Sequence, residues 1–361
     1  MEVSEELGLS YFTLDDMDLL AAAKADPKGF LAQLGSRAVI DEVQRAPELL
    51  LVLKAEIDRD RRSGRYLLTG SANVLTLPRV SEALVGRMAV LTLWPLSQGE
   101  IEGQEERFLA LAFAGKPSLR WPKVNDWQAR ILRGGFPPAV LLPEAARTEW
   151  FAGYVRTILE RDVRDLAGLQ EVYVLRELFA LLADRTAGLL NVSELARTLG
   201  RPRSTVDKYL RLLERLFLVF RLPAWAKGAT RRLTRSPKVY LVDTGLAAFL
   251  AGRVSWGPLF ESFVVTEVVK QASRHPDLYR LYHYRTASGA EVDLVVEGPE
   301  GIVGIEVKAG ETLNPRDFKG LLRLKEDAGG RFVAGYLLYP GERALSFGEG
   351  LWSLPLSALW S

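Results

Sequence analysis

Apolar residues in the first quarter of the chain fall in short runs separated by stretches of helical period. The runs are Tyr11-Phe12-Thr13-Leu14, Ala38-Val39-Ile40, Tyr66-Leu67-Leu68-Thr69 and Ala89-Val90-Leu91-Thr92-Leu93. Strands alternating with helices predict a parallel α/β sheet over residues 1–95. From 96 to 169 the strand signals fade. Amphipathic stretches replace them, including Trp150 to Leu166 after the turn Gly134-Gly135-Phe136-Pro137-Pro138, which predicts a helical lid and connector. Residues 170–254 read as a helical segment, a helix-turn-helix and two β-type runs flanking a basic loop, the order of a winged helix. In 255–361 a helix leads into Leu281 to Tyr284, Glu291 to Val296, Gly301 to Lys308 and Phe332 to Leu338, a mixed α/β domain. The predicted fold class is thus α/β and multidomain.

Composition narrows what these domains can do. A chain of 361 residues, at roughly 150 residues per domain, accommodates two or three domains. A hydrophobic fraction of 48% with 25% charged residues suits cores that bury well. The absence of cysteine excludes disulfides, thiolate zinc sites and a cysteine nucleophile, and fits a reducing compartment. His275 and His283 are the two histidines, which leaves little for histidine catalysis. An acidic N-terminus and no run of 18 apolar residues predict a cytoplasmic protein without a membrane partner. With a net charge of +2, any nucleic-acid surface must come from local clusters of Lys and Arg.

The first such chemistry lies at the end of the second run. Asp41 and Glu42 follow Ala38-Val39-Ile40, and the C-terminal ends of parallel strands are where such sheets bind ligands. Two carboxylates after a strand can equally open a solvated loop. Leu67-Leu68-Thr69-Gly70-Ser71-Ala72-Asn73 is a second buried run that empties into a small polar loop, and Gly86-Arg87 precedes the next. These stretches, with Tyr11 to Asp16, Trp94-Pro95-Leu96-Ser97, Gly134-Gly135-Phe136-Pro137 and Glu160-Arg161-Asp162-Val163, resemble AAA-like ATPases that continue into a helical lid, a winged helix and a nuclease-like tail. The resemblance extends over nearly the whole chain. It implies that Val39 to Gln44 is a Walker B strand, with Asp41 holding the Mg²⁺ water shell and Glu42 polarising the attacking water. It also implies a sensor loop ending at Asn73 and an arginine finger at Arg87, which in an oligomer acts across a subunit boundary. ATP is the implied nucleotide.

The sequence departs from that family at one place. No G-x-x-x-x-G-K-[ST] occurs, and the only Gly-Lys, Gly115-Lys116, is followed by Pro117, which has no hydroxyl for Mg²⁺. The phosphate-binding loop would lie upstream of Met1, and without it most of the groups that hold the phosphates of ATP are gone. The strand it follows normally lies inside the sheet, so its loss would leave an edge for a protein partner to cover. A late start and a decayed or repurposed gene are the open explanations.

A second constellation points to DNA. Asn191 with Glu194, and Ser204 with Asp207, read as capping boxes. Val206, Tyr209, Leu210, Leu213, Leu216 and Phe217 supply a buried stripe, leaving Thr205, Lys208, Arg211 and Arg215 on the outer face. A helix-turn-helix lays such a helix in the major groove. Arg201, Arg203, Thr205, Lys208 and Arg211 are the candidates there, and Lys227, Arg231, Arg232 and Arg235 in the wing would grip phosphates. From Arg221 to Lys238 there are six basic residues and no acid. Winged helices also serve as protein-interaction units, and a basic helix face can be simply solvated.

The third constellation is Glu291-Val292-Asp293-Leu294-Val295-Val296 followed by Gly304-Ile305-Glu306-Val307-Lys308. Glu306 and Lys308 share a strand face, and charges on a core strand require partners. The spacing resembles PD-(D/E)XK nucleases, restriction-type enzymes, with Asp293 as first acid, then Glu306 and Lys308, and Glu261 as the upstream acid. The resemblance implies Mg²⁺ held by Glu261, Asp293 and Glu306, with Lys308 positioning water. A surface ion pair is the plainer reading of Glu306 and Lys308, and such folds persist in proteins that no longer cut. Three functions follow: a DNA-associated protein with a Mg²⁺-dependent nuclease-like site, an ATPase completed by an upstream loop, and a non-enzymatic DNA- or protein-binding module.

Overall fold

In a computed structural model of the chain, residues 2–71, 86–115, 117, 121–162, 172–227 and 236–360 are described. Two compact units emerge: Met1–Val90 with Arg215–Phe217, and Leu91–Glu214 with Leu218–Ser361. The expected mixed α/β architecture is present, with one parallel and one mixed sheet.

The first unit is built on β1 (Ser10–Thr13), β2 (Ala38–Asp41) and β3 (Tyr66–Leu68), all parallel, with β2 in the centre. Helices α1 (Met17–Ala25), α2 (Pro27–Gln33) and α3 (Leu49–Arg59) connect them. Asp16 caps α1 by accepting from the N–H groups of Asp18 and Leu19, and Asp26 caps α2 at Gly29, satisfying otherwise orphaned helix donors. Ile40, Leu49, Leu50 and Leu53 pack with Leu14 and Phe30 in one apolar core, which holds the C-terminal end of β2 in place. The fourth predicted strand does not form. Ala89 to Leu93 adopts no regular structure, with Leu91 80% and Leu93 94% exposed. Its apolar pattern suits a strand, but no strand among the described residues lies beside it to complete a ladder, and a β-run without a partner leaves its backbone groups to water.

The second unit begins with short helices: α4 (Gln98–Glu102), α5 (Phe108–Ala114), α6 (Trp127–Arg133), α7 (Pro137–Leu141) and α8 (Glu144–Thr157). A π-helical turn at Ile158–Asp162 follows α8, and the rest of the predicted helix to Leu166 lies outside the described residues. Two stretches singled out in the sequence meet here. Leu96 N–H donates to the Gly135 carbonyl at 2.7 Å, and Gly135 N–H donates to Asp243 Oδ2 at 2.6 Å. A Cβ on Gly135 would lie 2.1 Å from the Leu96 carbonyl oxygen, so only glycine permits this approach.

Next come α9 (Val172–Asp184), α10 (Val192–Leu199) and α11 (Arg203–Arg215), then the antiparallel pair β4 (Val219–Leu222) and β5 (Lys238–Leu241). Asn191 caps α10 at the Glu194 N–H and Gly200 ends it in the left-handed conformation. Two details differ from the sequence pattern. Helix α11 starts at Arg203, so Ser204 lies inside it rather than capping it. Leu212 joins the buried stripe whereas Phe217 leaves the helix at φ +53°, because the chain must turn before β4.

After α12 (Thr244–Ala251) and α13 (Trp256–Ser273) comes a six-stranded sheet in the order β10-β11-β9-β8-β7-β6. Its strands are β6 (Arg280–Arg285), β7 (Glu291–Gly298), β8 (Gly301–Val307), β9 (Phe332–Tyr339), β10 (Leu345–Ser346) and β11 (Leu351–Pro355). Strands β8, β9 and β11 run parallel, and the remaining pairings are antiparallel. Helix α14 (Lys319–Ala328) covers Val295, Ile302 and Leu337 through Leu321 and Leu324. Tyr336 packs edgewise on Phe108 of α5 instead, because neighbouring residues of a strand face opposite ways. Among the described residues no helix is long and apolar enough to cross a membrane.

Candidate functional site

Asp41 ends β2, and two hydroxyls fix it. Tyr11 donates to Oδ2 at 2.5 Å and Thr69 donates to Oδ1. Burial would raise the Asp41 pKa, but hydrogen bonds from Thr69, Tyr11 and Thr13 outweigh it and hold the carboxyl below its usual value. These donors stabilise the charged form. Glu42 sits at φ +57°, a strained position for a residue with a side chain. Gln44 donates to its Oε2, and the Ser71 hydroxyl donates to the same oxygen at 3.4 Å. Arg87 is tied to Asp58 of α3 at 2.7 and 3.1 Å, so to act as a finger it would have to release that carboxylate. Asn73 lies outside the described residues. Tested against ATP and its Mg²⁺, these side chains offer the acidic half of a site. No G-x-x-x-x-G-K-[ST] occurs among these residues to supply the phosphate-cradling half.

The cations predicted for DNA lie on α10–α11 and beyond. Arg203, Lys208, Arg211 and Lys227 are exposed, and Arg201 and Thr205 are partly so. The Arg201 guanidinium lies over the Tyr173 ring, 5.9 Å from its centroid, and also donates to the Tyr173 hydroxyl. Arg203 approaches Asp207 at 3.9 Å, one helical turn on. Arg215, assigned by spacing to the outer face, is half-buried with its Nε shut off from solvent. Arg231, Arg232 and Arg235 lie outside the described residues.

The C-terminal acids converge, but around a residue the sequence pattern assigned to the wing. Lys238 opens β5 with its side chain 4% exposed. Its Nζ lies 2.7 Å from Glu261 Oε1, 2.9 Å from Glu291 Oε1 and 3.0 Å from Asp293 Oδ1. An ammonium has three protons, and here three carboxylates stand ready to accept them. Tyr240, two residues along β5, donates its hydroxyl to Glu261 Oε1 at 2.7 Å, and Val307 N–H donates to Asp293 Oδ2 at 3.0 Å. Glu306 is close enough for its charge to be felt, yet its Oε2 is closed to solvent and has no hydrogen-bond partner. Lys308, expected beside Glu306, donates instead to Asp317, which also caps the turn after Asn314.

Burial, then the neighbouring Asp293, pushes the Glu261 carboxyl up to about 8 against the pull of Lys238. Burial raises Glu306 well above the usual carboxyl range, and Asp293 adds to it. Burial would raise Glu291 too, but Lys238 outweighs it and Glu291 sits lower than usual. Lys238 itself is pushed up: burial opposes its charge, and Asp293, Glu261 and Glu291 together overcome that. The arrangement is a buried ion cluster with its own cation inside. Against Mg²⁺ the fit fails. The ammonium takes the position that a metal would need beside Glu261 and Asp293, and among the described residues no group of three His, Cys, Asp or Glu side chains is set to hold an ion. The sequence hinted at Lys238 in one way: a lysine heading the apolar run Val239-Tyr240-Leu241-Val242 must bring a partner with it.

Comparison with known proteins bears on the whole chain. An AAA domain family matches residues 2–102, a domain of unknown function (DUF8612) matches 124–256, and another (DUF4143) matches 256–359. Uncharacterized proteins of Mycobacterium tuberculosis and Mycobacterium bovis are each 30% identical over 345 residues, which is 93% of this chain and 72% of theirs. The chain belongs to their family. This AAA-domain family extends to an uncharacterized protein of Haemophilus influenzae, 24% identical over 299 residues, covering 80% of this chain and 70% of the relative. A solved structure of a Vibrio cholerae protein aligns at 12% identity with a TM-score of 0.24, over 95% of this chain and 77% of that one, and at that score it carries no argument. The AAA match covers Asp41 and Glu42, and it supports an ATPase-like family for this part of the chain.

Proposed function

We propose that this AAA-domain family protein is DNA-associated, reading the duplex with a winged helix-turn-helix of α10, α11 and the β4–β5 pair. The observation that carries the reading is the row of exposed cations Arg203, Lys208 and Arg211 along α11, over a stripe buried through Val206, Tyr209 and Leu210. The sequence between β4 and β5 also carries Lys227, Arg231, Arg232 and Arg235. Phosphate contacts of this kind position a protein and make its binding sensitive to salt.

In this reading the C-terminal domain has the form of a nuclease, with Glu261, Asp293 and Glu306 retained, and binds without cutting because Lys238 neutralises its acids. The ATPase reading rests on Asp41, held ionised by Tyr11 and Thr69 at the end of the central strand. It requires a phosphate-binding loop supplied from elsewhere.

The test is anisotropy of a labelled DNA duplex titrated with the protein at several salt concentrations. The variant R203A/K208A/R211A is expected to bind more weakly and with a shallower dependence of log affinity on log salt, by about one unit per phosphate contact removed. Unchanged affinity and slope in the folded triple variant would end the DNA reading.

A further inference from the structure

We propose that Lys238 is an internal cation that closes a divalent-metal site: with its ammonium among Glu261, Glu291 and Asp293 the site excludes Mg²⁺ or Mn²⁺, and with the ammonium removed it accepts one such ion. The inference is independent of whether α11 binds DNA.

Geometry carries it. Three carboxylates from α13 and β7 reach the same nitrogen at 2.7–3.0 Å, from different parts of the chain. Ammonium-to-oxygen contacts are longer than the roughly 2.1 Å of Mg²⁺–oxygen contacts, and a divalent ion cannot share the volume with the ammonium that fills it. A fourth carboxyl, Glu306, has an oxygen shut off from solvent with no donor. An unpartnered buried acceptor beside a saturated cluster is an oxygen without a cation of its own. Lys238 also cannot drift away cheaply. Its residue pairs with Leu222 across β4 and bridges to Leu189 on the other side, and Tyr240 on the same strand grips Glu261. The backbone therefore sets the ammonium in place, and the carboxylates turn toward it. Taking the ammonium out leaves several acidic groups in a closed space, and a hard divalent ion with oxygen ligands relieves that charge most directly.

The experiment follows free Mn²⁺ by electron paramagnetic resonance as it is titrated into the full chain. All proteins carry Asp41→Asn, so that the first unit contributes nothing. The parent is expected to show no Mn²⁺ binding that Asp293→Asn removes. Lys238→Ala, and Lys238→Met, which keeps the apolar stem, are expected to bind one equivalent, lost again when Asp293→Asn is added. A Lys238→Ala protein that folds only with Mn²⁺ present also supports the proposal. Two results overturn it: an Asp293-dependent equivalent of Mn²⁺ in the parent, or a folded Lys238 variant that binds none. The parent measurement can overturn the proposal even if neither variant folds.

Discussion

Two acidic sites in this protein are built on opposite electrostatic plans. Asp41 ends a strand of a three-stranded parallel sheet, and neutral hydroxyls of Tyr11 and Thr69 hold it. Its carboxyl stays charged and partly open, so its charge is left for a ligand to use. Glu261, Glu291 and Asp293 are gathered by a helix, a strand of the six-stranded sheet and a lysine from the β4–β5 pair. Their charge is answered from within the chain, and Glu261 and Glu306 move toward the protonated form. The difference teaches that acids gathered at one point do not by themselves make a ligand site. The identity of their nearest donor decides whether they await a cation or already have one.

The largest effect expected from breaking this contrast comes from Lys238→Ala. It leaves buried carboxylates without their counter-charge and should cost about 3–5 kcal/mol of stability, read as a fall in the urea midpoint at neutral pH without metal. Asp41→Asn, by comparison, loses only uncharged donors (the hydroxyls and the Glu42 N–H) at a partly open position and should cost no more than about 1–2 kcal/mol. Equal losses at the two sites would show that Lys238 is not the keystone of the cluster.

The next prediction concerns pH. The folded pKa of Glu261, about 8, lies above its ordinary 4.5, so the folded state holds the proton more tightly. Its contribution to stability is full below about 4.5 and is lost as pH rises to about 8. Lys238, Tyr240, Glu291, Asp293 and Glu306 surround it, and among them the raised Glu306 adds to the same downward trend. Urea midpoints measured between pH 5 and 8 should fall with rising pH. Glu261→Gln, which has no proton to lose, should flatten the slope. Asp41 titrates below its usual value, so Asp41→Asn should leave the slope in this range unchanged.

The smallest expected effect is Tyr240→Phe. It removes the hydroxyl that shares Glu261 with Lys238 but leaves the ammonium in place, for a loss of about 1 kcal/mol. Tyr11→Phe should weaken the first unit by a similar amount, measured by the same unfolding assay, and raise the pKa of Asp41 in an NMR titration.

Much of this was legible in the residues. The strands over Leu281 to Tyr284, Glu291 to Val296, Gly301 to Lys308 and Phe332 to Leu338 follow from local apolar runs, and the parallel first sheet follows from alternation with helices. That Glu261 would stand near Asp293 was implied by the nuclease resemblance and not by any local pattern of residues. Ala89 to Leu93 reads as a strand in the sequence because its apolar pattern is local, whereas a strand exists only through its neighbour. The short strands β10 and β11 gave no comparable signal.

The chain by itself thus determined the periodicities, the caps at Asn191 and Gly200, and the inventory of acids and bases. Only tertiary structure decided which base met which acids. Lys238 is 23 residues from Glu261 and 55 from Asp293, while Lys308, 15 residues from Asp293 by number, turns to Asp317 instead. Local spacing fixes the face of an element on which a side chain stands. Which charges share a buried volume depends on how distant elements pack, and in a low-dielectric interior that packing sets the charge of Lys238, Glu261 and Glu306.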